Sequence, residues 1–367
     1  MRINKIQLSN FRNFKNKSFR FSPKTTIIVG PNASGKTNIL ESIFLLSTGK
    51  SFRARVEEEM INYGEEIARV KGVIIEKIEG KKSGNNLEVV LTRGEITVGM
   101  SPKKKERVAR KRLLINGVGK RLIDFAGKYR VVLFGPHHLE IVTESPSIRR
   151  DFLDTVLVQT DREYRRASLS YEKGLRQRNR LLFRIREEGL SRSQLLFWNK
   201  LLIRNGDYIA SSRQNFIEFA NDQDGLDDQK FSLDYDKSAI SQARLEQYRE
   251  EEIAAATTLV GPHRDDVVFK VASNKKQAAR ARDLARFGSR GEQRMATLWL
   301  KLVELSYIKQ ETGEKPTLLL DDIFSELDHK HRDIVMKEVE GQQTIITTAD
   351  PHFVEKFAKV ERIDLKI

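Results

Sequence analysis

The chain has 367 residues, 39% hydrophobic and 32% charged, with no cysteine and a formal charge of +15 from 66 Lys and Arg against 51 Asp and Glu. Disulfides, thiolate metal sites and a cysteine nucleophile are excluded. No apolar run approaches the roughly 20 residues of a membrane helix, and Met1-Arg2-Ile3-Asn4-Lys5-Ile6 opens no apolar stretch of signal-peptide type. The expectation is a cytoplasmic protein of one large domain or two ordinary ones, whose charge favours polyanions, nucleic acid first.

In chain order, a first strand is predicted over Ile3 to Leu8, where Ile6 and Leu8 alternate with polar residues. The β-branched run Thr25-Thr26-Ile27-Ile28-Val29 stops at Gly30, and Ile39, Ile43, Phe44 and Leu46 then recur at helical spacing. From Ala68 to about Leu122 short alternating stretches predict an antiparallel sheet, with Asn116-Gly117 as a hairpin signal. Between Ile148 and Arg249 the pattern is helical and strongly charged. The stripe Leu195, Trp198, Leu201, Leu202 and Ile209 reads as a packing face, and Asn221 to Gln229 reads as a hairpin tip or loop. A helix over Met295 to Ile308, a strand over Thr317 to Leu320, a further helix and a strand over Thr344 to Thr347 return the chain to an α/β pattern.

Gly30-Pro31-Asn32-Ala33-Ser34-Gly35-Lys36-Thr37 matches G-x-x-x-x-G-K-T without a mismatch. Glycines let backbone N–H groups turn inward around a β-phosphate as an anion nest. Lys36 supplies positive charge to the β- and γ-phosphates, Thr37 offers a hydroxyl to Mg²⁺, and the helix that follows points its positive end at the same oxygens. The strand before and helix after make a mere capping turn a poor alternative, so ATP and Mg²⁺ are the expected cofactors.

Leu318-Leu319-Leu320-Asp321-Asp322 is an apolar strand ending in two acids. If it shares a parallel sheet with the strand before Gly30, as a neighbour, Asp321 would bind Mg²⁺ and Asp322 would position or polarise the attacking water. Lys36 and Asp322 are therefore the candidate catalytic residues, and Thr37 and Asp321 the candidate metal ligands. Most of the chain separates the two motifs, so a large insertion is expected between two halves of one ATPase.

Ser289-Arg290-Gly291-Glu292-Gln293-Arg294 precedes a helix, and Ser325-Glu326-Leu327-Asp328 follows the acids. Alone, Ser289-x-Gly291 is as well read as a helix N-cap beside a glycine. In this order the set resembles the ABC-type ATPases, in which the signature of one protomer completes the nucleotide site of another. Asn10-Phe11-Arg12-Asn13-Phe14, Phe134-Gly135-Pro136, Ser145 to Asp154 and Gly261-Pro262-His263-Arg264-Asp265-Asp266 narrow the resemblance to the RecF family of bacterial recombination mediators. It runs from end to end and is weakest between about 160 and 250.

The resemblance implies an α/β fold: an ABC-type ATPase head, with a P-loop parallel sheet and an antiparallel β subdomain, over 1–147 and 256–367, around an inserted α-helical lobe over 148–255. It implies an ATP-dependent homodimer with weak hydrolysis, acting as a switch in DNA replication, repair and recombination. Such proteins bind gapped or junction DNA and, with RecR and RecO, help load RecA. Ser289 and Gly291 would reach the γ-phosphate in trans, with Asp328 near the same seam. Three departures stand out: Glu292 occupies a position where relatives commonly carry glutamine, Asp322 replaces the glutamate of most ABC ATPases, and Thr348-Ala349 carries no sensor histidine.

Two basic clusters are candidate DNA contacts: Lys103-Lys104-Lys105, Arg107 and Arg110-Lys111-Arg112, and Lys275-Lys276, Arg280, Arg282 and Arg286. Either could equally be a solvated loop. No base-reading motif is present, which predicts backbone and shape reading without sequence specificity. The histidines show no zinc spacing; His329, His331, His137 and His138 read as surface or capping residues, and His263 and Arg264 are expected to support the head or the nucleotide seam. Other readings are a regulatory NTPase that does not act on DNA, an ABC-headed nuclease and a transporter ATPase subunit. No segment is left over for a nuclease domain, and the charged insertion is unlike a transporter's compact head.

Overall fold

The computed structural model describes residues 1–78, 81–99, 104–273, 281–350, 352 and 360–366. In chain order the strands are β1 (Arg2–Phe11), β2 (Phe14–Arg20), β3 (Thr25–Val29), β4 (Ile67–Ile78), β5 (Lys81–Thr92), β6 (Glu95–Val98), β7 (Lys104–Arg107), β8 (Lys111–Ile115), β9 (Val118–Lys120), β10 (Val131–Phe134), β11 (Gln229–Asp236), β12 (Asp266–Ser273), β13 (Arg282–Asp283), β14 (Thr317–Asp321), β15 (Thr344–Thr348) and β16 (Glu361–Asp364). The helices are α1 (Lys36–Thr48), α2 (Leu122–Phe125), α3 (Pro146–Thr160), α4 (Arg162–Glu188), α5 (Leu196–Asn221), α6 (Gln242–Gln247), α7 (Arg249–Ala255), α8 (Leu284–Phe287), α9 (Arg290–Thr312) and α10 (His329–Glu340). They divide into two units, Met1–Pro136 with Ile308–Ile367, and His137–Tyr307.

The first unit holds two large sheets. One is antiparallel, in the order β2-β1-β4-β5-β8-β9, and the other is parallel, in the order β10-β14-β15-β3-β16. β3, β14 and β15 are buried at every position, the run of apolar and threonine side chains that a strand covered on both faces needs. The antiparallel sheet alternates instead: Ile3, Ile6 and Leu8 of β1 face inward. α1 is buried almost throughout, and its Ile39, Ile43 and Leu46 join both sheets in one apolar core. Gln343 ties the sheets by polar contacts, accepting from the Ile3 N–H at 2.8 Å and donating to the Ile3 and Ser22 carbonyls.

The predicted hairpin is present. Asn116 (φ 51) and Gly117 (φ 80) are the two-residue turn between β8 and β9, closed by Ile115 opposite Val118. The structure corrects the placement of the two halves. β14 is not a neighbour of β3, because β15 lies between them and pairs with both.

The second unit packs α3, α4 and α5 with the sheet β11-β12-β13. α4 and α5 run against each other along a close seam, where a Cβ on Gly174 would stand 2.6 Å from Leu201 Cδ2. The helical reading of 148–249 misses β11, whose inward Phe231 and Leu233 alternate with outward polar residues and pair with β12. Of the predicted stripe, Leu195, Leu202 and Ile209 are buried and Trp198 and Leu201 are half-buried, as a packing face should be.

Candidate functional site

The turn 30–35 leaves the C-terminal end of β3 and enters α1, anchored by the Gly30 N–H donating to the Thr348 carbonyl at 3.3 Å. Gly35 has φ 99, a left-handed value that favours glycine, and a Cβ there would meet Asn13 at 2.7 Å and the Phe14 ring at 2.8 Å. The turn between β1 and β2 is therefore pressed against the loop. Asn13 donates to the Ser34 carbonyl at 3.3 Å and accepts from Asn38 at 2.7 Å. The Lys36 amine is buried and donates to the Gly30 carbonyl at 2.7 Å and the Pro31 carbonyl at 3.0 Å.

Asp321 meets this loop from the end of β14. The Thr37 hydroxyl donates to its carboxylate, 3.0 Å from each oxygen, and Thr347 Oγ1 lies 2.8 Å from Asp321 Oδ1. Asp322 follows with φ 49, its N–H donating to Thr347. Burial pushes the Asp322 carboxyl above its ordinary range and the neighbouring Asp321 adds to this, while Lys36 opposes it. Lys36, Thr37, Asp321 and Asp322 are thus one cluster in the first unit. The residues fit a magnesium nucleotide: hard oxygens of Thr37 and Asp321 face each other, and the buried Ser34 hydroxyl inside the loop has no partner.

A second charged group supports α1. Glu41, fully buried, accepts from Arg12 at 2.6 and 2.8 Å, Arg53 at 2.9 Å and Ser51 at 2.6 Å. Burial alone would raise its carboxyl, but these hydrogen bonds outweigh it and hold the group below its ordinary 4.5. Its contribution to stability is therefore complete above about pH 4.5 and is lost as the pH falls through the lower folded-state value. Glu41→Gln should lower stability at pH 7 by about 3 kcal/mol and flatten the acid limb of a stability–pH curve. A variant with the parent's acid limb would show that Glu41 is not the group titrating there. Beside this network an open depression of about 590 Å³ is lined by Arg12, Asn13, Asn38, Ile61 and the exposed Tyr63, among others.

Ser289 and Gly291 are exposed at the start of α9, in the second unit. Ser289 and Glu292 form a reciprocal capping box: the Ser289 N–H donates to the Glu292 carboxylate at 2.8 Å, and the Glu292 N–H to the Ser289 hydroxyl at 3.3 Å. Glu292 also pairs with Arg282. Burial alone would raise the Glu292 carboxyl, and these bonds override it and hold it low. Asp328 caps α10, accepting from the His331 N–H at 3.0 Å.

Among the candidate DNA contacts, Lys104 and Lys105 are exposed on β7 and Arg112 is exposed on β8. Arg110 pairs with Glu58 at 3.0 Å, and Lys111 with Glu57. Lys103, Lys275, Lys276 and Arg280 lie outside the described residues. The Gly261 to Asp266 block, to which the sequence assigned no contacts, supports the second unit. Asp265 and the Pro262 carbonyl accept from the buried Arg213, and His263 Nδ1 lies 2.8 Å from the Tyr171 hydroxyl.

A profile described as RecF/RecN/SMC N terminal domain matches residues 2–366. A protein of Lachnoclostridium phytofermentans named DNA replication and repair protein RecF is 35% identical, over 99% of this chain and 97% of its own. The chain belongs to the RecF family. A solved structure described as the recombination mediator protein RecF-ATP in the RecFOR pathway superposes with a TM-score of 0.81 at 32% identity, covering 95% of this chain and 92% of its own. An Smc head bound to the C-terminal winged-helix domain of ScpA shares the fold, with a TM-score of 0.50 at 17% identity over 98% of this chain and 93% of its own. The RecF-family fold is thus that of an ABC-type ATPase head, α/β with one parallel and one antiparallel sheet. Among its described residues no helix is long and apolar enough to cross a membrane.

Proposed function

We propose that this RecF-family chain is an ATP-switched, DNA-binding repair and replication protein that closes into a homodimer when ATP is bound. The observation that carries the reading is the Thr37–Asp321 contact at the mouth of the glycine loop. It supports a site where Gly30, Pro31, Asn32, Ala33, Ser34, Gly35 and Lys36 cradle the phosphates and Thr37 and Asp321 hold Mg²⁺. The depression edged by Tyr63 leaves room for the base. Bound magnesium would neutralise charge developing between the β- and γ-phosphates.

Asp322 is the group that orients the attacking water, and Lys36 draws charge from the phosphoryl group. A carboxyl whose proton affinity is raised by burial is a better acceptor at neutral pH than a free one. Its side chain is one carbon shorter than glutamate, which favours slow turnover and a switch rather than a motor. Ser289 and Gly291, exposed at a helix start, would meet the partner protomer's γ-phosphate, with Asp328 near the same seam. Functionally the head would be 1–147 with 256–367, and 148–255 an inserted arm. The RecFOR context of the solved relative supports RecR and RecO as partners. Loading of RecA rests on the family resemblance, and Lys104, Lys105, Arg110, Lys111 and Arg112 as contacts to gapped or junction DNA rest on the positive charge gathered from β7 to β8.

The test combines light scattering with sedimentation on gapped duplex, each with and without ATP. The expected result is a doubling of mass with ATP and retention on DNA that strengthens with it. In Ser289→Arg the doubling should vanish, with the circular dichroism spectrum unchanged. Normal dimerisation of that variant would remove the trans assignment. Absence of DNA binding at low salt, with and without ATP, would leave a regulatory ATPase that does not act on DNA.

A further inference from the structure

Resting on the DNA reading above, we infer that the solvent side of α4 is a ridge that tracks the phosphates of double-stranded DNA, through Arg162, Arg166, Lys173, Arg176, Arg180 and Arg184. At 3.6 residues per turn these six positions fall within about 40° of a single line along the helix. The buried residues Tyr164, Ala167, Tyr171, Gly174, Arg178, Leu182 and Ile185 occupy the opposite side. Arg162, Lys173, Arg176, Arg180 and Arg184 are exposed and Arg166 is partly so. The line runs about 33 Å at 1.5 Å per residue.

Of the carboxylates of α4, Glu163, Glu172 and Glu188 lie at the flanks of this line, while Glu187, which pairs with Arg186 at 2.8 Å, falls on its direction about one turn beyond Arg184. Glu163 pairs with Arg166 at 2.8 Å, Glu172 with Arg176 at 4.0 Å and Glu188 with Arg184 at 2.9 Å. These are exposed pairs within one helix, the kind that contributes little and yields to a stronger anion. Duplex DNA supplies such an anion, with one negative charge per roughly 1.7 Å of axis. A straight, rigid row of about 33 Å also matches one turn of the double helix, about 34–36 Å. A protein partner would call for aromatic anchors and few charges at the centre of its contact, whereas the exposed aromatic of α4, Phe183, stands near one end of the line and about 60° to its side. The β7–β8 cluster is a weaker candidate for the main contact, because Lys111 is half-buried and held by Glu57 and the Gly49 carbonyl, and the exposed cations lie on two short strands rather than along one helix.

The test is fluorescence anisotropy of a labelled blunt duplex with the full-length protein and ATP, over a series of salt concentrations. The triple variant Lys173→Gln, Arg176→Gln, Arg180→Gln keeps good helix formers at exposed positions. Its affinity should fall by roughly one to two orders of magnitude, and the slope of log K against log salt should shrink by about 2 to 3, near 0.9 per lost contact. The charge-preserving variant Lys173→Arg, Arg176→Lys, Arg180→Lys should bind as the parent does. A glutamine variant with parental affinity and slope overturns the ridge, leaves the DNA reading intact and hands this face to an acidic protein. Equal loss in the charge-preserving variant also overturns it, since charge would not be the determinant. A parent protein that fails to bind any duplex at low salt overturns the DNA reading and the ridge together.

Discussion

Lys36→Met should weaken ATP binding at least a hundredfold and abolish ATP-dependent dimerisation while the fold survives. The amine is buried between the Gly30 and Pro31 carbonyls at 2.7 and 3.0 Å, inside a loop whose backbone can supply hydrogen bonds but no full charge. A unit charge about 4 Å from a phosphate contributes about 4 kcal/mol at the effective dielectric of a protein surface, more than enough for that factor. Methionine fills similar volume without a charge; of the two carbonyls it releases, that of Pro31 is in an exposed residue and that of Gly30 is in a buried one. Nucleotide titration by calorimetry gives the affinity, light scattering the mass and circular dichroism the fold. An affinity within threefold of the parent would remove Lys36 from the phosphate site.

Why that residue was legible in the sequence while its neighbours were not follows from the physics. Gly30 to Thr37 is a local solution: backbone turn, charge and hydroxyl are contiguous, so residue types alone disclose the chemistry. Asp321 was legible through its place after three leucines. The sheet position was not, since nothing in Thr344 to Thr348 says that β15 intervenes between β14 and β3. Glu41 sits in a helix whose neighbouring Ile39, Leu40, Ile43 and Phe44 are apolar, and its partners Arg12 and Arg53 come from different segments. Pairing at that sequence distance leaves no periodic trace. Ser289 to Glu292, by contrast, is a short S-x-x-E pattern, and its capping box could have been read directly. It also gives a local reason for a glutamate where glutamine is usual: a carboxylate accepts from the Ser289 N–H and pairs with Arg282. β11 was missed because it follows the long helix α5 within a polar stretch, and its alternation spans only Gln229 to Asp236. The α4 ridge was hidden by the same charge density, which reads as solvation until the buried side of the helix is known.

The second large effect concerns stability. Arg213→Met should destabilise the unit His137–Tyr307 by about 3–5 kcal/mol, the range for leaving a buried charge without its partner. Arg213 is 4% exposed and uses its whole fork: Nε to the Tyr164 hydroxyl at 3.2 Å, Nη1 to the Pro262 carbonyl at 2.7 Å and Asp265 at 2.9 Å, Nη2 to Asp154 at 2.8 Å. Burial alone would lower its proton affinity, but Asp154 and the hydrogen bonds around it override this and hold the guanidinium charged. Removing it strands Asp265, itself buried, with the Tyr235 hydroxyl and the Ser238 N–H as its remaining donors among the described residues. Arg213→Lys should recover little, because an ammonium cannot reproduce a planar fork to three elements. Both tryptophans, Trp198 and Trp299, lie in this unit, so urea unfolding followed by tryptophan fluorescence reads it separately from the phosphate loop. Arg166→Met, which removes only an exposed pair with Glu163, is the control and should shift the midpoint by less than about 1 kcal/mol. Equal shifts in the two variants would mean that the Gly261 to Asp266 block is not held by Arg213. A selective loss in Arg213→Met, with ATP affinity unchanged, would assign that block to holding this unit together rather than to the phosphate site.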